Sequence, residues 1–238
     1  MARQLYTARL VREEMLSERA QCKHLQFAAE GMDRFDFKAG QFVSMVAPNS
    51  EGKQITRAYS IASGPNEGPH FDLCLNRVEG GFFSNHLCDM KEGDTVQFHG
   101  PHGLFVLRNP LRDCIMIATG TGIAPFRSML KTHLAAHPDQ HFTLIFGVRY
   151  ERNIMYRDEF EMMAADHPKF RFWPTLSRPD DSWAGRSGHV QTHLMEAIGD
   201  RRDMDVYICG MKLMVDDVRA RLKELGFDRK HIIFEKYD

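Results

Sequence analysis

CIMIATGTGIAPFRSML, residues 114–130, decides the fold of the C-terminal half. The apolar run Cys114–Ala118 has the length of one strand, and Thr119-Gly120-Thr121-Gly122 follows it without a spacer. A helical pattern begins at once, and its spacing predicts a helix over 123–136. Downstream the same grammar repeats. The apolar runs FTLIFGV (142–148), FRFWPTL (170–176), VYICG (206–210) and HIIFE (231–235) alternate with helical patterns over 157–165, 189–198 and 211–225. Unbroken apolar strands alternating with helices imply a parallel sheet buried on both faces, doubly wound.

Upstream the pattern differs. Short strands are predicted at Leu5–Val11, His24–Phe27, Phe42–Val46, Ile55–Ile61, Phe71–Val78 and Thr95–His99, separated by turn residues such as Gly40, Pro48-Asn49 and Gly93-Asp94. This spacing implies an antiparallel barrel or sandwich. One short helix interrupts it near Ser84, whose side chain is expected to cap it. The change of grammar divides the chain into residues 1–108 and 109–238, an α+β organisation in two domains.

Composition narrows the function. The 238 residues are 43% hydrophobic, with 31 basic and 32 acidic side chains and a net charge of −1. That balance argues against nucleic acid or an anionic membrane as the main partner. No apolar run approaches the roughly 20 residues of a membrane span. The opening MARQLYTARLVREE has no apolar core of a secretory leader. Five cysteines, in no metal-binding spacing, read as reduced cytoplasmic thiols without zinc or an iron–sulfur cluster.

Each candidate motif has two readings. Glycines in Thr119–Gly122 let backbone N–H groups approach an anion at a helix start, or they serve only a tight turn. Neither the third glycine of the dinucleotide fingerprint nor an acid after the next strand is present, which excludes a plain dehydrogenase. Ser177 and Arg178, with Arg186 in the same loop, form either a phosphate cradle or a solvated polar loop. Cys209-Gly210 ends a strand on the ligand edge, as a functional or a structural thiol. Glu235 and Tyr237 close a hydrophobic strand, so the terminus is expected to dock. On ITRAYSIAS (55–63), period two puts Arg57, Tyr59 and Ile61 on one face, a cation beside an aromatic ring.

In order, the chain reads R-x-Y-S, G-G-x-x-S, G-P-x-G-x-F, G-T-G-I-A-P, S-R, C-G-x-x-x-M and E-x-Y. This set resembles the ferredoxin–NADP(+) reductase family over nearly the whole chain, and ATGTGIAPFRSML and YICGMKLM look like its plant-type members. The resemblance implies an N-terminal Greek-key barrel holding FAD and a C-terminal domain holding NADP(H). It assigns Arg57 to the FAD diphosphate, Tyr59 to stacking on the flavin, Ser60 to the vicinity of flavin N5 and Ala58 to the same segment. Alternation alone would have turned Ser60 the other way. Leu75, Asn76, Gly81, Phe82 and Ser84 match FAD-lining segments. Thr121 and Gly122 match nucleotide contacts near the flavin. Ser177, Arg178 and Arg186 match the 2′-phosphate site, and Gln191 a neighbouring position. Cys209 and Glu235 match the residues beside the reacting nicotinamide, and Tyr237 the aromatic that covers the flavin until nicotinamide displaces it. Asn76 stands where plant-type members carry lysine, and His189 where an adenine-stacking tyrosine is expected.

The expected activity is hydride transfer between NADP(H) and FAD, then single-electron exchange with ferredoxin or flavodoxin, by a cytoplasmic monomer. The alternatives are a reductase component of an oxygenase or a free-flavin reductase and, from another class, a non-catalytic FAD-binding electron-transfer subunit.

Overall fold

The computed structural model describes residues 4–49 and 51–237; Met1 to Arg3, position 50 and Asp238 lie outside them. Contacts group the chain into two units. One runs through Val106 and takes in Arg127–Thr132, and the other comprises Leu107–Phe126 and the chain from His133 onward.

In the first unit β1 (Tyr6–Ser17), β2 (Cys22–Ala29), β3 (Phe42–Pro48), β4 (Gln54–Ser60), β5 (His70–Asn76) and β6 (Thr95–His102) form one antiparallel sheet, ordered β4-β3-β6-β1-β2-β5. An antiparallel bridge between Ile61, just past β4, and Leu73 of β5 joins the outer strands and closes the sheet into a barrel. The last strand lies between β3 and β1, which gives the Greek-key path. Inward-facing Leu10, Phe27, Met45, Phe71 and Phe98 are fully buried. The rings of Phe35, Phe71 and Phe98 meet at 5.2–5.5 Å between centroids.

The second unit is a parallel sheet of β7 (Cys114–Thr119), β8 (Phe142–Val148), β9 (Phe170–Leu176), β10 (Arg186–Ser187), β11 (Asp205–Met211) and β12 (Ile232–Tyr237). The order is β10-β9-β8-β7-β11-β12. The chain builds outward from β7 and then returns to its other side with β11. The strand order therefore reverses between β7 and β11, and open sheets bind ligands at the carboxyl ends of such a pair. Among the described residues, five α-helices accompany the sheets: α1 (Phe82–Asp89) in the first unit, then α2 (Ile123–His133), α3 (Arg157–Asp166), α4 (Leu194–Ile198) and α5 (Lys212–Glu224).

Three sequence expectations need correction. Gly81, not Ser84, stands at the N-cap of α1, and no side chain caps that helix. Ser84 lies inside the first turn, where its hydroxyl accepts from Val78 N (3.1 Å) and donates to Gly81 O (3.3 Å). The helix expected over 189–198 is a 3-10 turn at Val190–His193 followed by the five residues of α4. The helix expected over 123–136 ends at His133.

Candidate functional site

In the second unit the turns after β7 and β11 pack directly on each other. A Cβ on Gly122 would lie 2.4 Å from the Cys209 carbonyl oxygen and 2.9 Å from Gly210 Cα, so no side chain fits there. Gly210, at φ +148°, faces the Thr119 hydroxyl, which a Cβ would meet at 2.4 Å. Thr119 Oγ1 and Gln191 Oε1 are buried and have no hydrogen-bond partner among the described residues. A Cβ on Gly147, at the end of β8, would press on Thr119 Cγ2 at 3.2 Å and Val190 Cγ1 at 2.7 Å. Close backbone approach, a helix start in Thr121-Gly122 and orphaned polar atoms suit a nucleotide, which supplies the acceptors and donors these groups lack. The sequence reading included Thr119 in the glycine turn but gave its side chain no role.

Strand pairing brings Cys209, Glu235 and Tyr237 together. β11 and β12 run parallel with Cys209 beside Glu235 and Met211 beside Tyr237, so the C-terminal strand is docked as expected. Burial pushes the Cys209 thiol well up, and the Glu235 charge adds to this, while a hydrogen bond from Tyr237 opposes both. The thiol stays neutral at physiological pH, so its part is steric and polar rather than nucleophilic.

The expected phosphate loop is only partly free. Ser177 N and Arg178 N donate to Val148 O (3.0 Å) and Arg149 O (2.9 Å), which extends the β8–β9 edge. The Arg178 side chain is exposed. Arg186 lies on β10 beside Thr175 and is committed elsewhere: its guanidinium forks onto Glu196 at 2.5 and 2.6 Å. Its guanidinium carbon also lies over the Trp173 ring, 3.7 Å from the centroid. Nearby, Tyr150, Glu151, Arg152, Ile154, Arg157 and Asp180 line a cleft of about 560 Å³. His189 stands at the N-cap position of the 3-10 turn that carries Gln191, without a side-chain hydrogen bond to it.

In the first unit, β4 and α1 gather the residues matched to FAD. Arg57 is exposed, and among the described residues its guanidinium bonds only its own strand, at Thr56 O (3.2 Å). Tyr59 packs on the barrel core and meets the Phe83 ring at 6.3 Å, which joins β4 to α1. Burial pushes its phenol up to about 12, with a smaller push from Cys88 and an opposing one from Arg57. Ser60, on the other side of the strand, is buried, and Ala58 is exposed. At the end of β5, Leu75 is buried and Asn76 exposed. Phe82 is partly exposed and stacks on His86 at 6.0 Å. Gly81 is braced by Asn85, whose amide donates to its carbonyl at 2.6 Å. An uncapped helix N-terminus beside a strand carrying an uncommitted arginine suits a diphosphate. These residues fit FAD.

The same unit holds a buried ion pair absent from the sequence reading. Arg127 donates to Asp72 Oδ2 (3.3 Å) and to Ala62 O (3.0 Å). His24 approaches Asp72 Oδ2 at 3.5 Å, and Gln26 donates to Oδ1 at 3.1 Å.

Comparison with known proteins agrees with both halves. Residues 7–107 match the oxidoreductase FAD-binding domain family, and residues 116–220 match the oxidoreductase NAD-binding domain family. The chain is 43% identical to ferredoxin–NADP reductase B of Sorangium cellulosum, over 98% of both proteins. It is 29% identical to the toluate 1,2-dioxygenase electron transfer component of Pseudomonas putida, over 90% of this chain but only 62% of that one. Among solved structures, the cytochrome P450 reductase GcoB of Amycolatopsis superposes with a TM-score of 0.87 at 29% identity, over 99% of this chain and 71% of that one. No helix among the described residues is long and apolar enough to cross a membrane.

Proposed function

This chain belongs to the ferredoxin–NADP(+) reductase family, and from that premise we propose that it is a reductase coupling NADPH to a ferredoxin or flavodoxin through FAD. Bound FAD supplies the conversion of one hydride into two single electrons. The protein binds, orients and shields. Arg57 and the open N-terminus of α1 hold the diphosphate. Tyr59 offers an aromatic face to the flavin, and the Ser60 hydroxyl holds a hydrogen bond near N5. Leu75, Asn76, Gly81, Phe82 and Ser84 line the cofactor around that end of the barrel.

In the second unit, Thr121 and Gly122 receive the nucleotide diphosphate, while Ser177, Arg178 and Arg186 face its 2′-phosphate and Gln191 its adenosine end. Cys209 shapes the nicotinamide pocket, and Glu235 balances charge or moves a proton to solvent. Tyr237, already hydrogen-bonded to the Cys209 sulfur, guards that pocket until nicotinamide enters. The domain roles divide near residue 108. The enzyme acts as a cytoplasmic monomer without nucleic acid, membrane or metal.

The observation that carries this reading is the interlocked pair of turns, Thr119–Gly122 on Cys209-Gly210, with Glu235 alongside. Anaerobic titration of the yellow holoenzyme with NADPH and with NADH, followed at the flavin absorbance, tests it. NADPH should bleach the flavin. A colourless protein that FAD cannot reconstitute defeats the reading, and a yellow protein that neither nucleotide bleaches is a docking subunit instead. The likeness to an oxygenase electron transfer component favours a second reading, service to an oxygenase. Cytochrome c reduction that rises on adding ferredoxin selects the first reading, and rapid turnover of free flavin selects a flavin reductase.

A further inference from the structure

Arg178 and Arg186 have the same chemistry and opposite situations. Arg178 lies two residues past the end of β9 and makes no side-chain hydrogen bond or ion pair with any described residue. Arg186 has both outer nitrogens on the Glu196 carboxylate, at 2.5 and 2.6 Å, and its guanidinium carbon over the Trp173 ring, 3.7 Å from the centroid. A carboxylate in that bidentate position fills the fork a phosphate would use.

The surroundings fix the pair in place. Pairing of Arg186 with Thr175 holds β10 against β9. The indole Nε1 of Trp183 donates to the Arg186 carbonyl at 2.9 Å, so the loop entering β10 is tied down as well. Glu196 sits in the first turn of α4. Arg186 beside it holds its carboxyl below the usual range, so it stays ionised. His193, the other titratable group here, bonds Thr175 Oγ1 through Nε2 at 2.9 Å. Burial, then the Arg186 charge, lowers its pKa, so it offers no second cation to Glu196 near neutrality.

We propose that Glu196 is a specificity-determining residue: by occupying Arg186 it sets how far the enzyme prefers NADPH over NADH. This rests on the nucleotide reading above. The two coenzymes differ only at the adenosine ribose, where NADPH carries a phosphate with up to two negative charges and NADH a neutral hydroxyl. To use Arg186, the phosphate must displace the carboxylate or share the cation with it, and in either case a negative group remains close by. A hydroxyl meets no such competition. Arg178 is then the principal phosphate cation and Arg186 a restrained second one.

The holoenzyme with Glu196→Gln tests this. The ratio of kcat/KM for NADPH to that for NADH should rise by about fivefold or more, mainly through a lower KM for NADPH. In calorimetry without turnover, 2′,5′-ADP should bind tighter by the same factor, while 5′-ADP should be unchanged. Both gains should shrink with added salt. A ratio and a 2′,5′-ADP affinity within twofold of wild type, in a variant that keeps its flavin spectrum, overturn the proposal. If Glu196→Gln fails to fold, Glu196→Asp decides, because its shorter side chain breaks the bidentate fit and should move both quantities in the same direction. Failure of the underlying reading would appear separately, in a wild-type enzyme whose flavin neither coenzyme reduces.

Discussion

Tyr59 and Ser60 are neighbours on β4, yet they serve different surroundings. Ser60 is buried, so Ser60→Ala removes one hydroxyl and puts nothing larger in its place. Flavin reduction by NADPH should slow roughly tenfold, the worth of one net hydrogen bond, with FAD still bound. Unchanged stopped-flow kinetics would remove Ser60 from the reaction. Tyr59 reports on stability instead. Its phenol is pushed up to about 12 in the fold, against roughly 10 in an unfolded chain. Above pH 10 the unfolded chain therefore binds fewer protons than the folded one, and stability falls as pH rises towards 12. The buried thiols Cys22 and Cys114, also pushed up, slope the same way. Tyr59→Phe should flatten the fall of the urea midpoint of the apoprotein above pH 10, and an equally steep fall would show that the phenol is not the group responsible. At this scale the sequence exposed the cation and ring of R-x-Y-S, because period two aligns them. It could not show that Arg186 meets Glu196, a partner ten residues away across a turn that only the fold defines.

The strands of the second unit were the most legible elements. The runs 142–148 and 170–176 are strands from end to end: β8 is buried over its first five residues, and β9 keeps its strand although Arg171 is exposed, because Phe170, Thr175 and Leu176 are buried at its two ends. First-unit boundaries were harder. β1 continues to Ser17 through the half-exposed Arg12–Met15, where no hydrophobic alternation marks it. β10 is two polar residues paired with β9 and has no hydrophobic pattern to read. The 3-10 turn at 190–193 carries residues that also suit a helix. The glycine turn after β7 was recognised, but its reason was not: Gly122 lacks a side chain because the β11 backbone lies against it. Gly122→Ala puts a methyl 2.4 Å from the Cys209 carbonyl oxygen, so the two turns must separate. The variant should lose about 1–3 kcal/mol of stability and bind NADPH at least tenfold more weakly, with flavin content retained. A normal KM and melting temperature would mean that the turn yields more easily than its packing implies.

At the scale of the molecule, the change from short strands to alternating strands and helices located two units but could not place Arg127. That residue lies in α2, downstream of the change, yet it groups with the first unit through Asp72 and Ala62. The pattern of α2 gave no warning, because one arginine among Phe126, Ser128 and Met129 reads as the solvent side of a helix, whereas positions 123–130 are all buried. The charge pair gives a prediction of opposite signs. In the full chain, Asp72→Asn leaves a buried guanidinium without its counter-charge and should cost about 3–5 kcal/mol. In a fragment ending at residue 108, Arg127 is missing, and of these side-chain partners Asp72 keeps His24 and Gln26. There the same substitution removes an undercompensated buried carboxylate and should raise the urea midpoint. If Asp72→Asn destabilises both proteins equally, Asp72 is held by its barrel neighbours alone, and the link from α2 contributes nothing to the first unit.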